Sequence, residues 1–238
     1  MSQIKAIPIL TPLSCNYIQD GKALGDKLQT IPVLDMGGAT LIQLLSRVLV
    51  LLLTFFGASA HAGEYENAVA AYKRGDVASA LSQFAKLSER GDPRAQLHLG
   101  IAYLTGKHFK QDCAKAIDLL NKSAKQGNAM AQHNIGVAYD SGTCLRVDDK
   151  KAANWYRLAA KQGHASSQNN LAIAYEKGRG VKKSKVLAYA WWTLAIKNGH
   201  KNATLYQFKL SSKMTSAELK EASRLAENCF RSNYRNCD

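Results

Sequence analysis

The chain has 238 residues, a formal net charge of +14 and 46% hydrophobic residues. Only four prolines and no low-complexity tract argue against a disordered polymer, and the hydrophobic content is that of an ordinary soluble domain. The cation excess favours anionic partners and says nothing about fold.

Residues 1–35 carry Ile7-Pro8, Thr11-Pro12, Ile31-Pro32 and scattered glycines without a helical period, and read as a non-native or disordered extension upstream of a start at Met36. Residues 36–62 have the plan of a secretory signal peptide. Arg47 gives the positive flank, Leu49 to Gly57 the apolar core, and Ala58-Ser59-Ala60-His61-Ala62 an A-x-A cleavage site. A membrane-spanning helix from Leu41 to Ala62 is the competing reading, since about 20 apolar residues cross a bilayer. Gln43, Ser46 and Arg47 interrupt that stretch, and the cleavage pattern favours removal. The expected location is the periplasm or the exterior, with a membrane anchor if the segment stays uncleaved and no stable membrane insertion after cleavage. Cys15 leaves with the leader. Cys113, Cys144, Cys229 and Cys237 remain, an even number that suggests two disulfides with three possible connectivities.

From residue 63 a glycine returns on schedule. Gly91, Gly127, Gly163 and Gly199 lie 36 residues apart, each after a run rich in cations and amides. Each is followed by a polar residue: Asp92, Asn128, His164 or His200. A glycine just past the last turn is how an amphipathic helix ends. Four such stops at one spacing predict an internal repeat of the solenoid kind. Within each unit a first helix carries Leu99-Gly100-x-x-Tyr103, Ile135-Gly136-x-x-Tyr139 or Leu171-Ala172-x-x-Tyr175. A second carries Ala116-x-x-x-Leu120, Ala152-x-x-x-Tyr156 or Ala188-x-x-x-Trp192. Small residues let the paired helices approach, and the larger ones fill between them.

This layout resembles the tetratricopeptide pattern, with one difference in length. Thirteen positions separate Tyr103 from Ala116, Tyr139 from Ala152 and Tyr175 from Ala188, which lengthens the loop between the two helices. Together with the glycines and with Ala152-Ala153-Asn154-Trp155-Tyr156 and Ala188-Tyr189-Ala190-Trp191-Trp192, the long loop makes residues 93–200 resemble three Sel1-like repeats. Residues 63–92 resemble a shortened tetratricopeptide-like first unit, turning tightly through Arg74-Gly75-Asp76. Over residues 201–238 the repeat fades into C-terminal capping helices, the last opened by a capping box at Thr215-Ser216-Ala217-Glu218. The fold class expected is all-α: a right-handed α-solenoid of antiparallel helix pairs with a C-terminal capping helix. In such a stack neighbouring inter-helix loops share an edge, so Cys113 is expected to pair with Cys144, leaving Cys229 to Cys237.

The resemblance implies a binding protein that holds a protein or peptide on the concave face of its first helices. A stripe at i, i+3, i+7 and i+10 marks that face. It comprises Arg94, Leu97, Ile101, Leu104 and Thr105, then Met130, His133, Val137, Asp140 and Ser141, then Ser166, Asn169, Ile173, Glu176 and Lys177. Lys107, Lys110, Arg146, Arg179, Lys182, Lys183 and Lys185 cluster around the loops as a basic edge, suited to an acidic partner or an anionic envelope polymer. Nucleic acid is not expected, because no aromatic residues are interleaved with these cations. No metal or cofactor is expected. The sequence lacks a nucleotide loop and a zinc-spaced Cys/His cluster, and Gly178-x-Gly180 reads as turn chemistry. His164 and His200 read as capping or turn residues, and Trp155, Trp191 and Trp192 as core packing. No catalytic residue is assigned. Asp140 and Glu176 occupy homologous positions on successive helices, which implies no shared pocket. Some cysteine-rich Sel1-like relatives are described as β-lactamases or penicillin binders. The cysteines here do not recur in each repeat, and Ser211-Ser212-Lys213 lacks the Ser-x-x-Lys spacing.

Overall fold

The computed structural model describes residues 63–237. The extension over 1–35, the signal segment 36–62 and Cys15 lie outside the described residues. Capping side chains and helix-ending glycines divide the described chain into ten helices, and no strand is present among the described residues. Helix α1 (residues 63–73) pairs with α2 (Val77–Glu89). Three longer pairs follow: α3 (Pro93–Thr105) with α4 (Cys113–Lys125), α5 (Ala129–Ser141) with α6 (Asp149–Ala160), and α7 (Ala165–Lys177) with α8 (Lys185–Lys197). The chain closes with α9 (Ala203–Ser211) and α10 (Ser216–Arg231).

The caps repeat with the same period as the sequence. Asp92, Asn128 and His164 open α3, α5 and α7, each side chain accepting a backbone N–H of the first turn. Asp112, Asp148 and Ser184 do the same for α4, α6 and α8. Gly91, Gly127, Gly163 and Gly199 all take the left-handed conformation, with φ between 80° and 92°. His200 departs from the series. Its N–H closes α8 on the carbonyl of Ala195, as those of Asp92, Asn128 and His164 close the helices before them, but the next helix starts only at Ala203 and without a side-chain cap. The capping box of α10 forms as the sequence indicates, between Thr215 and Glu218.

Inside each unit a small residue faces a large one. A Cβ on Gly136 would lie 2.7 Å from the Tyr156 ring, and one on Gly100 would lie 2.8 Å from Leu120. Phe84, Leu120, Tyr156 and Trp192 stand at successive repeat positions and are almost wholly buried. They anchor three apolar clusters, one at Phe84, one at Leu120 and one shared by Tyr156 and Trp192. Trp191 and Trp192 are core residues, whereas Trp155 is half-buried. Ala222, Ala226 and Cys229 turn one side of α10 inward, and α10 packs on α8. The last regular pair is thereby shielded.

Between units the contacts are polar as well as apolar. Gln96, Gln132 and Gln168 are buried at 36-residue spacing. Their amides donate backwards to the carbonyls of Ser88 (3.4 Å), Ala124 (3.2 Å) and Ala160 (3.1 Å), near the end of the preceding helix. Their side-chain oxygens accept from Gln126 (2.9 Å), Gln162 (2.8 Å) and Asn198 (2.8 Å), just past the end of the following helix. Each glutamine therefore ties three consecutive helices. Cys113 is bonded to Cys144, clamping the start of α4 to the loop after α5, and Cys229 is bonded to Cys237. This is the connectivity expected, the first pair from loops sharing an edge and the second by elimination.

Replacing Gln168 by Leu removes one of the two donors to the carbonyl of Ala160, which keeps the N–H of Gly163, and takes the acceptor from the amide of the half-buried Asn198. The expected loss is about 1–3 kcal/mol of unfolding free energy. Urea unfolding followed by circular dichroism measures it, with the exposed Lys177→Ala as a control expected to stay within about 0.5 kcal/mol. Equal stability of the two variants contradicts a structural role for the glutamine.

Candidate protein-binding face

Helices α3, α5 and α7 occupy equivalent places in successive units, so one face is shared by all three. Of the stripe residues, Met130 is exposed, and Arg94, Ile101, His133, Val137, Asp140, Ile173 and Glu176 are half-buried. Leu97 and Asn169 are not accessible, at 6% and 7% exposure. Leu97 packs among Leu120, Ala124, Ala131 and Ile135, and Asn169 accepts the indole N–H of Trp192 at 3.1 Å. The helical step that leads from Arg94 to position 97 points back into the pair. The accessible line runs one residue later, through His98 and Asn170.

Two cavities open along that line. The first, about 110 Å³, lies between α1, α2 and α3 and includes Leu81, Phe84, His98, Ile101 and Ala102 in its wall. The second, about 220 Å³, lies between α5, α6 and α7 and includes Ala153, Tyr156, Asn170, Ile173 and Ala174. These five pairs are each 72 residues apart, two repeat lengths. The same architectural hollow thus appears twice with different chemistry.

The first cavity is aromatic. Tyr72 and His108 meet at its rim through a 3.0 Å hydrogen bond between the hydroxyl and Nε2. His98 stacks on Phe84 at 4.7 Å and its Nε2 bonds the Tyr65 hydroxyl at 2.9 Å. The second cavity is charged. Asp140 accepts from the Tyr156 hydroxyl at 3.2 Å and is paired with Arg179, whose Nε also lies 3.4 Å from Asp149. Burial raises the pKa of Tyr156, so its hydroxyl remains a donor. Two carboxylates against one guanidinium leave the hollow net anionic.

His133 sits beside this second cavity. Its Nδ1 lies 2.9 Å from the Ser167 hydroxyl, and the Nδ1 of His164 lies 3.0 Å from the same oxygen. The two imidazoles are 4.8 Å apart, and the Tyr156 ring of α6 faces His133 at 5.8 Å. Burial, and then repulsion from His164, push the His133 pKa down to about 4; burial also lowers that of His164. A serine between two histidines is the kind of contact a nucleophile needs. Ser167 is completely buried, however, and the cluster joins α5 to α7 with only the half-buried histidine rings reaching solvent.

The basic loops adjoin one another. The Cys113–Cys144 bond ties the first to the second. Gly180, with φ of 67°, brings the third against the Asp149 backbone, so closely that no Cβ would fit. Lys107, Lys110, Arg146, Lys182 and Lys183 are exposed there. Arg179 is drawn out of this edge by Asp140 and Asp149, and Lys185 donates to the carbonyl of Lys213 at 2.8 Å. The buried glutamines, the Tyr72–His108 pair and the Asn170 and Asp149 walls were not picked out from the sequence. The glutamines carried a readable signal, the 36-residue spacing.

Among the described residues no helix is long and apolar enough to cross a membrane. The Sel1 repeat family profile matches residues 93–128, 129–164 and 165–200. The chain is similar to a solved Sel1 repeat protein from Oxalobacter formigenes, at 32% identity and a TM-score of 0.51, over 54% of this chain and 97% of that one. It is also similar to a protective antigen present in uropathogenic Escherichia coli strains, described as displaying an SLR fold. There the identity is 29% and the TM-score 0.66, over 73% of this chain. The present chain spans 39% of that antigen's length. No curated protein matches the chain.

The histidine pair generates a pH dependence with a definite sign. Both imidazoles take up protons more readily in the unfolded chain, whose histidines titrate near 6.5. Their contribution to stability is complete above that pH and is lost as pH falls toward about 4, the folded value for His133. Unfolding free energy measured across this window is expected to decline on acidification, with a shallower decline in His133→Gln. An identical slope in both proteins contradicts the assignment.

Proposed function

The chain belongs to the Sel1 repeat family, and on that premise we propose an exported adaptor, periplasmic or secreted, that holds an extended segment of a protein partner along the face shared by α3, α5 and α7. Repeats of this family generally bind protein partners. The observation that carries the reading is the pair of repeat-equivalent cavities. An aromatic or aliphatic side chain suits the first, between Phe84, His98 and Ile101. A lysine or arginine suits the second, beside Asp140 and Asp149. Such alternating anchors are how a peptide is recognised by side-chain pockets on a rigid scaffold. Export is supported by the two disulfides, which persist in oxidising compartments, and by the cleavage pattern at Ala58 to Ala62. The description of the E. coli relative as a protective antigen is in keeping with that location. The adaptor acts by binding and not by catalysis.

A second reading rests on the exposed Lys107, Lys110, Arg146, Lys182 and Lys183, which line adjoining loops and suit an anionic envelope polymer. The two readings share only Lys107, which also lines the first cavity, and they separate experimentally. A photo-crosslinking residue at Asn170 is expected to give discrete adducts with an extracytoplasmic protein. The same residue at Lys150, on the exposed side of α6, is expected to give none. Ile101→Glu and Ile173→Glu are expected to weaken partner capture about tenfold or more, a loss of about 1.4 kcal/mol. Lys182→Ala with Lys183→Ala is expected to leave capture unchanged. Adducts of equal yield at both positions, or capture that depends only on the lysines, contradict the adaptor reading.

A further inference from the structure

Helix α9 is the first member of a helix pair whose second member does not follow. It packs on α8, and α10 also packs on α8 instead of completing a pair with α9. Ala203 and Leu210 face inward, and Tyr206 stacks on Trp192. The other side is left open. Phe208 is 72% exposed and Leu205 is 55% exposed, and at three residues apart they share one helix face. Lys201, just before the helix, and Lys209, on its last turn, fall on the same face, with Lys213 beyond the end.

The charge around these two apolar side chains is of one sign. Residues 198–217 contain Lys201, Lys209 and Lys213 and no aspartate or glutamate. Among the described residues none forms an ion pair with these lysines. The nearest acids downstream are engaged elsewhere. Glu218 caps α10, Glu221 pairs with Arg224, and Glu227 pairs with Arg231 and Lys197.

We propose that this face of α9, with Leu205 and Phe208 set among Lys201, Lys209 and Lys213, docks on an anionic lipid surface. The charge excludes a second copy of the same face, because mating two would oppose lysine to lysine. A protein hot spot is a packed pocket ringed by contacts that exclude water. Here the apolar pair stands on a single terminal helix with flexible cations beside it. Lysine stems lie along apolar surface while their ammonium groups reach headgroups, and an aromatic ring enters the boundary region. Each lysine near an anionic leaflet adds to the attraction, which salt screens. The two readings are tested by different substitutions, on α3 and α7 for the peptide face and on or just before α9 for this one, so they fail distinguishably.

The test is co-sedimentation of the full chain with phosphatidylglycerol-rich vesicles and with phosphatidylcholine vesicles. The wild type is expected to bind the anionic vesicles and to be released by salt. Leu205→Ser with Phe208→Ser, and separately Lys201→Ser with Lys209→Ser, are each expected to weaken that binding about tenfold. These side chains are exposed, so unchanged circular dichroism and thermal unfolding confirm that the variants fold. Undiminished binding by either variant, or equal binding to both vesicle types, assigns lipid contact to another segment and overturns the proposal. Retention on immobilised polyglutamate that requires Phe208, with no vesicle binding, assigns the face to an acidic protein and also overturns it.

Discussion

The buried glutamine at the second turn of each first helix is the constraint on which the stack depends. A repeat of small and large apolar residues can slide, because one alanine or leucine offers much the same surface as the next. A primary amide cannot. It has two donors and an acceptor in a plane, and when buried it must find partners for them. Gln96, Gln132 and Gln168 satisfy theirs with a carbonyl behind and an amide ahead, so each fixes the rotation of three helices at once. The apolar clusters around Phe84, Leu120, and Tyr156 with Trp192 supply burial, and the amides set the register in which they are buried.

Register in turn decides what the shared face of α3, α5 and α7 offers. Because successive units are rotated alike, the hollow walled by Phe84, His98 and Ile101 is rebuilt at Tyr156, Asn170 and Ile173. Its lining differs because the side chains differ and because α1 and α2 join through a tight turn where α5 and α6 are joined by a longer loop. The second hollow gains its charge from three separate places. Asp140 comes from α5, Asp149 from the start of α6, and Arg179 from a loop held by the close fit of Gly180. The disulfide between Cys113 and Cys144 fastens the same edge one repeat earlier. Rigid loops and a fixed register thus present fixed pockets, which lowers the entropic cost of ordering a flexible segment on them.

The helices and their pairing were legible in the sequence, because glycine stops, capping residues and the Tyr-to-Ala interval report local backbone chemistry. The Cys113–Cys144 disulfide was legible for a related reason, since neighbouring loops must adjoin once units stack, and Cys229 was left to Cys237 by elimination. The face was read less well. A stripe drawn by helical steps from Arg94 is sensitive to an offset of one residue, about 100° of rotation. That offset turned Leu97 and Asn169 inward and brought His98 and Asn170 into view. The pairing of Asp140 with Arg179 spans two units and depends on the final packing, and no local pattern announces it. His200 keeps the turn role read from the sequence but not the capping one. It keeps the repeat spacing while the repeat itself has ended, since the next helix starts at Ala203 without a side-chain cap.

The central claim is that buried amides bind the units from α3 to α8 into one cooperative body. Native-state amide hydrogen exchange tests it most directly, because it reads the opening free energy of each helix separately. The slowest amides of α3 through α8 are expected to share one opening free energy close to that of global unfolding. Substituting Gln132 alone is expected to lower that value for all six helices together. Six helices that open at distinct free energies, or a Gln132 substitution felt only by α4, α5 and α6, would contradict the account.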